Sequence, residues 1–184
     1  MQVHDVEALR RGVDAGWRPQ FLFFWGHTSK NPGVGKHVLS QWWPAAFILD
    51  GRTYPTAEHF MMARKAELFG DTEMLAAILS APDPARAKML GRRVRGFDEK
   101  RWIAHRFDIA VRGNAAKFRQ NAELGQWLLA TGDAVLAEAS PVDAVWGIGL
   151  AADDARAQDP HRWPGLNLLG FALMRVRQAL SSAS

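Results

Sequence analysis

The twelve residues from Tyr54 to Lys65, Tyr-Pro-Thr-Ala-Glu-His-Phe-Met-Met-Ala-Arg-Lys, constrain the fold more than any other stretch of the chain. Pro55 and Thr56 form a helix-start signal, with Thr56 as N-cap. In a helix, Glu58, Met61, Met62 and Lys65 fall at i, i+3, i+4 and i+7, on one stripe. The two methionines turn that stripe inward. Glu58 and Lys65 then stand two turns apart, about 10 Å at 1.5 Å per residue, beyond an i,i+4 pair. Charges on a buried face are costly unless paired or facing a cavity. Two readings are open. Glu58 and Lys65 line a polar pocket, or Glu58 favours the positive end of the helix dipole while Lys65 snorkels to solvent.

The flanking pattern is mostly helical. Phe47 to Tyr54 reads as a hairpin, because Asp50-Gly51 separates two strand-like runs. Phe21 to Trp25 is an apolar run stopped by Gly26 and reads as a buried strand, and His27 to Gly35 reads as a loop. After the Glu58 helix, shorter helices are expected over Thr72 to Leu79 and over Pro84 to Leu90, the latter closed by Gly91. Glu99 to Phe118 is the longest helix, with Ile103, Phe107, Ala110, Val111 and Phe118 on its apolar face. Asn121 caps a helix to Leu129, and Leu166, Leu169, Leu173, Val176 and Leu180 mark a last one. The expectation is a mainly α fold with a small β element (α+β). A length of 184 residues suits one domain. It is placed over residues 21–180, with 1–20 as a lead-in of one or two helical turns and 181–184 as a C-terminal tail.

Composition removes several chemistries. The chain has no cysteine, which excludes disulfides, thiol nucleophiles and thiolate metal sites and fits a reducing cytoplasm. Met1 to Glu7 show no leader pattern. No apolar run approaches the roughly 20 residues of a membrane span, so no membrane partner is expected. The six histidines are scattered, and His59 has no second His at zincin spacing, so no metal site is expected. Nothing calls for a cofactor. Gly33-Val34-Gly35-Lys36-His37 lacks the first Gly and the Ser/Thr of a P-loop.

Charge is uneven: Arg86 to Arg119 holds eleven Lys/Arg against three acids, a net +8, which leaves −4 for the rest of a chain of net +4. Such a block attracts phosphate-bearing partners, or it is the solvated face of two helices. Most of the eight tryptophans are expected in the core, Trp42, Trp43 and Trp127 among them.

A second constellation runs from Ser140 to Leu150, Ser-Pro-Val-Asp-Ala-Val-Trp-Gly-Ile-Gly-Leu, followed by Trp163-Pro164-Gly165-Leu166-Asn167-Leu168-Leu169-Gly170. It joins an acid, Asp143, and an indole, Trp146, to Gly147 and Gly149, where the backbone is free to approach a ligand. Asp143 also suits a turn or a cap, and Trp146 also suits a core.

These segments together resemble the NADAR domain family and its YbiA-like N-glycosidase branch. The resemblance runs from about Phe21 to Leu180. It rests on Phe24-Trp25, Leu39-Ser40-Gln41-Trp42, Asp50-Gly51, Tyr54 to Phe60, Ala63-Arg64-Lys65, Trp102, Asp143 with Trp146-Gly147, and Asn167 to Gly170. The chain departs from the YbiA-like pattern at Ile148 and Leu168, where that branch has a polar residue and an Arg. The resemblance implies a compact single domain and a pocket lined by Glu58, Lys65, Asp143 and Trp146. Its catalytic residues would be Glu58, Lys65 and Asp143, and its substrate-binding residues Trp102, Trp146, Gly147, Asn167 and Phe24.

The implied activity is hydrolysis of a ribose C1–N bond. Positive charge develops on the sugar, and a carboxylate stabilises it or activates water. Lys65 then acts as a cation, or attacks C1 of a ring-opened sugar as a Schiff-base nucleophile. The implied partner is a small phosphorylated ribosyl substrate of riboflavin biosynthesis, or ADP-ribosylated guanine in nucleic acid. A non-catalytic ADP-ribose-binding module is the third reading, against which the intact Glu58, Lys65 and Asp143 argue.

Overall fold

Asp50 and Gly51 both take positive φ, 52° and 74°, the geometry of the tight hairpin turn that Asp-Gly favours. In the computed structural model, which describes residues 3–28 and 33–182, that turn joins two of four short strands. In chain order the elements are α1 (Val6–Asp14), β1 (Phe21–Phe24), β2 (Phe47–Leu49), β3 (Arg52–Tyr54), α2 (Ala57–Leu68), α3 (Thr72–Leu79), α4 (Pro84–Gly91), α5 (Glu99–Gln120), α6 (Ala122–Ala130), β4 (Val135–Glu138) and α7 (Leu168–Ser181), with short 3-10 turns between some of them. The mainly α, α+β class is as expected. No helix among the described residues is long and apolar enough to cross a membrane. The loop expected over His27 to Gly35 falls partly outside the described residues, as do Met1, Gln2 and the last two residues of the expected tail.

The chain divides into two units, residues 41–122 and residues 1–40 with 123–184. The first is built on α2. Phe47 pairs with Tyr54 across the hairpin, and the Phe60 ring meets both edge-on, at 6.0 and 5.1 Å. This aromatic trio seats the hairpin on α2. Gln120 at the end of α5 completes the arrangement: its amide accepts from Ile48 N–H and donates to Ile48 C=O. Every residue from Ala57 to Ala63 is buried, so the first turns of α2 are enclosed on all sides rather than along one stripe. Two glycines let neighbouring helices approach. A Cβ on Gly113 of α5 would strike Phe60, and one on Gly91 of α4 would strike the Met62 side chain. Gly91 was expected to lie beyond its helix. It is instead the last residue inside it, capped by Arg92, because Met62 leaves no room there for a side chain.

His59 locks the start of α2. Its Nε2 lies 3.2 Å from Ala81 C=O, so that nitrogen carries the proton, and Nδ1, 2.8 Å away, accepts the Thr56 hydroxyl. Thr56 Oγ1 in turn accepts from His59 N–H. Burial pushes the His59 pKa down. The neutral ring therefore contributes stability that is fully present above the unfolded value of about 6.5 and lost as pH falls through the lower folded value. Nuclear magnetic resonance titration should find His59 still neutral at about pH 6.5, where an exposed histidine is half protonated. An ordinary titration curve would remove the lock.

The other unit joins the two ends of the chain. β1 pairs with β4 in parallel, Phe21 opposite Val135 through Phe24 opposite Glu138. β4 was not expected; Val135-Leu136-Ala137-Glu138 is too short a run to declare itself apart from its partner. The residues expected as a lead-in form the nine-residue helix α1, capped by the Asp5 carboxylate. It is built into the unit through Arg10, which donates to Pro160 C=O and Trp163 C=O.

Three other expectations need correction. Only Trp163 among the tryptophans is buried; Trp25 is exposed and the other six are half-buried. Trp carries an N–H that needs a partner, and few sites bury it whole; Trp163 Nε1 finds Ala157 C=O at 2.7 Å. On α5, Ile103 is exposed, and the buried set is Ala110, Gly113, Asn114, Ala116, Lys117 and Phe118. The face is shifted because Gly113 must meet Phe60. Asn121 caps no helix with its side chain; its amide donates back to Ala46 C=O and Lys117 C=O.

Candidate active site

Glu58 and Lys65 lie on one helix, and the unit treats them differently. Glu58 is 2% exposed, and its backbone N–H donates to Gln41 C=O at 3.0 Å. Gln41 is held in turn by Asn114, whose Oδ1 accepts from Gln41 Nε2 at 3.0 Å while its Nδ2 donates to Ala110 C=O. A buried amide pair thus fixes the segment beside Glu58. Lys65 is half-buried, with its ammonium 4.3 Å from the centre of the Phe97 ring and 5.6 Å from that of Trp102. Burial lowers its pKa, because removing water disfavours the charged amine. Trp102 is therefore a wall around Lys65, together with Phe97, which sequence reading did not single out.

Lys117 was also missed. It is fully buried on α5, and burial lowers its pKa to about 7. Its spacing of seven residues from Ala110 places it on the apolar face and was the available signal.

The other unit holds the second constellation. Asp143 is half-buried and its Oδ1 accepts from Val145 N–H at 2.9 Å and Trp146 N–H at 2.8 Å. The turn reading of Asp143 is thus realised through one carboxylate oxygen, and Oδ2 is not used for it. Trp146 is half-buried. The segment carrying it is laced to the start of α7: Leu166, Asn167, Leu168 and Leu169 donate to the carbonyls of Ala144, Gly147, Val145 and Trp146.

Three residues expected to bind substrate do something else. Phe24 is 1% exposed, in the core, and it is Trp25 that faces out. Asn167 has no exposed surface. It sits at φ 52°, accepts from Glu138 N–H through Oδ1 and donates to Leu136 C=O through Nδ2. Gly147 is buried; its carbonyl accepts from Asn167, and a Cβ there would lie 2.7 Å from Glu138 C=O. Their residue types suggested ligand contact, but the close approach they permit is of chain to chain. Ile148 is fully buried too, so its departure from the YbiA-like pattern is a change in the core.

The NADAR domain model matches residues 23–181. An N-glycosidase of Acanthamoeba polyphaga mimivirus is 44% identical over 164 residues, 86% of this chain and 95% of that protein. N-glycosidase YbiA of Escherichia coli (strain K12) is 34% identical over 139 residues, 76% of this chain and 77% of that protein. An NMR structure of E. coli YbiA matches with a TM-score of 0.70 at 28% identity, covering 91% of this chain and 88% of that one. A riboflavin biosynthesis protein of Vibrio vulnificus is 34% identical over 149 residues, 81% of this chain and 37% of that longer protein. The chain belongs to the NADAR domain family.

Proposed function

We propose that this chain hydrolyses the ribose C1–N bond of phosphorylated riboflavin-biosynthesis intermediates, with Lys65 attacking C1 and Glu58 handling water and protons. It is a hydrolase of N-glycosidic bonds, the activity for which its relatives are named. The observation that carries the mechanism is the half-buried Lys65 amine between Phe97 and Trp102, its pKa lowered by burial. A neutral amine is the nucleophile that a Schiff base needs. The family resemblance further assigns Asp143 the stabilisation of positive charge on the sugar and Trp146 the stacking of the heterocycle. The name of the Vibrio relative supports the substrate class.

A second reading, removal of ADP-ribose from guanine in nucleic acid, has its own observation. Arg92, Arg93, Lys100 and Arg101 are all exposed on the chain around Phe97, and such a rim suits a phosphate backbone. Three other members of the basic block are engaged within the unit: Arg95 pairs with Asp71 and Glu73, Arg112 pairs with Asp50, and Lys117 is buried.

One panel decides between them. Release of free amine from a phosphoribosyl pyrimidine is compared with release of ADP-ribose from a modified oligonucleotide. Turnover of the first alone supports the first reading; turnover of the oligonucleotide alone replaces it with the second. Trp146→Ala should weaken substrate binding by about 1–3 kcal/mol if its ring stacks the base. Unchanged affinity with a large loss of melting temperature would make Trp146 a packing residue.

A further inference from the structure

Phe97 lies on the connection between α4 and α5, and four features hold it in place. Arg95, two residues earlier, is clamped by Asp71: its N–H and Nε donate to Oδ2 at 2.8 and 3.1 Å and its Nη2 to Oδ1 at 2.7 Å. The Arg95 guanidinium holds the Asp71 carboxyl well below the usual carboxylate range. Gly96 then turns the chain at φ 67°, which an L side chain adopts only with strain. Asp98 follows at once as the cap of α5, accepting Arg101 N–H at 2.6 Å. The Phe97 ring leans edge-on against Phe69 at 5.3 Å. A side chain 46% exposed is thereby tied on both sides.

We propose that Phe97 is a positioning residue for Lys65: the Asp71–Arg95 clamp and the Gly96 turn seat its ring over the ammonium, where it keeps water from the amine. The catalytic consequence rests on Lys65 being the attacking amine of the proposed function; the effect on the amine itself needs no substrate. A ring over an ammonium acts in two opposed ways. Its face attracts the cation, which favours the charged form, and its bulk displaces water, which disfavours that form. Burial lowers the Lys65 pKa, and the ring's share in that burial is the effect proposed here.

Several charged groups on the surrounding elements are engaged elsewhere, while Arg92, Arg93 and Lys100 are exposed on the chain around Phe97. On α2, Glu58 is two turns away and Arg64 pairs with Glu67 and Asp50; Glu67 also meets Arg52 of β3. At α3, Asp71 and Glu73 hold Arg95. Lys88 of α4 lies over Trp42, and Arg101 of α5 over Phe69. Glu99 is exposed in the first turn of α5.

The test is competitive labelling of the substrate-free protein with trace acetic anhydride across pH, with mass spectrometry of the Lys65 peptide. It reads the apparent pKa of that one amine. Phe97→Ala should raise it toward that of a free lysine by about one unit. Phe97→Leu, which keeps the bulk and loses the ring face, should leave it at or below the wild-type value. Asp71→Asn, which weakens the clamp, should shift it upward in the same direction as Phe97→Ala. Superimposable titrations for wild type and Phe97→Ala, or a downward shift in that variant, overturn the proposal. Phe97→Gln carries the same expectation as Phe97→Ala should the alanine variant fail to fold. Because no substrate is present, this result stands or falls separately from the reaction proposed above.

Discussion

Lys65→Arg should abolish turnover, a loss of at least about 10³-fold, and borohydride added during wild-type turnover should leave a stable sugar adduct on Lys65. The reasoning follows the bonds. Ring opening of the N-glycoside gives a C1–N iminium. The neutral Lys65 Nζ adds to C1, the original C1–N bond breaks, and the departing amine leaves with a proton. The new C1–Nζ imine then takes up water, frees the sugar and returns the amine. Borohydride reduces that imine to a secondary amine, which appears as a mass increase. Arginine keeps the charge but stays protonated and cannot attack. Glu58→Gln should also be severely impaired, by about 10²–10⁴-fold, because water and proton transfer need a carboxylate. Lys117, with its pKa lowered to about 7, is the rival amine, but it is fully buried where Lys65 is half-buried. An adduct mapped to Lys117 would move the nucleophilic role there. An active Lys65→Arg enzyme that yields no adduct would end the covalent mechanism altogether.

Asn167→Ala should cost about 3–7 kcal/mol of stability. Two buried backbone groups, Glu138 N–H and Leu136 C=O, lose their side-chain partner, at about 1–3 kcal/mol each. The left-handed backbone at φ 52° adds about 1 kcal/mol once the side chain no longer helps to hold it. For a chain of this size the melting temperature should fall by about 10 °C. Gly170→Ala should behave likewise, because a Cβ there would be driven into Leu136 C=O. An Asn167→Ala protein that melts like wild type and binds substrate poorly would return Asn167 to the binding residues, against the role its hydrogen bonds define.

Local chemistry was legible wherever a few neighbouring residues suffice. The Asp-Gly hairpin, the Thr56 cap, the span of α3 and the start of α4 follow from turn and cap preferences that act over four or five residues. The single stripe expected for α2 was incomplete, since three helices surround it and bury the polar Glu58 and His59 as well. Residue type also misled at Phe24, Gly147 and Asn167. An aromatic, a glycine and an amide near a candidate site look the same in sequence whether they meet a ligand or another stretch of the chain.

By itself the sequence determined the helical class, the capped helix that carries Glu58 and Lys65, and the Asp143–Trp146 segment, because each is written in residues close together along the chain. Tertiary structure alone decided that β1 finds its partner more than a hundred residues on, that Lys117 is fully enclosed, and that Phe97 covers the Lys65 amine. These depend on long-range pairing, burial and the reach of a clamped loop. None of the three has a local signature, since the free energy that selects them comes from surfaces that meet only when the chain is folded.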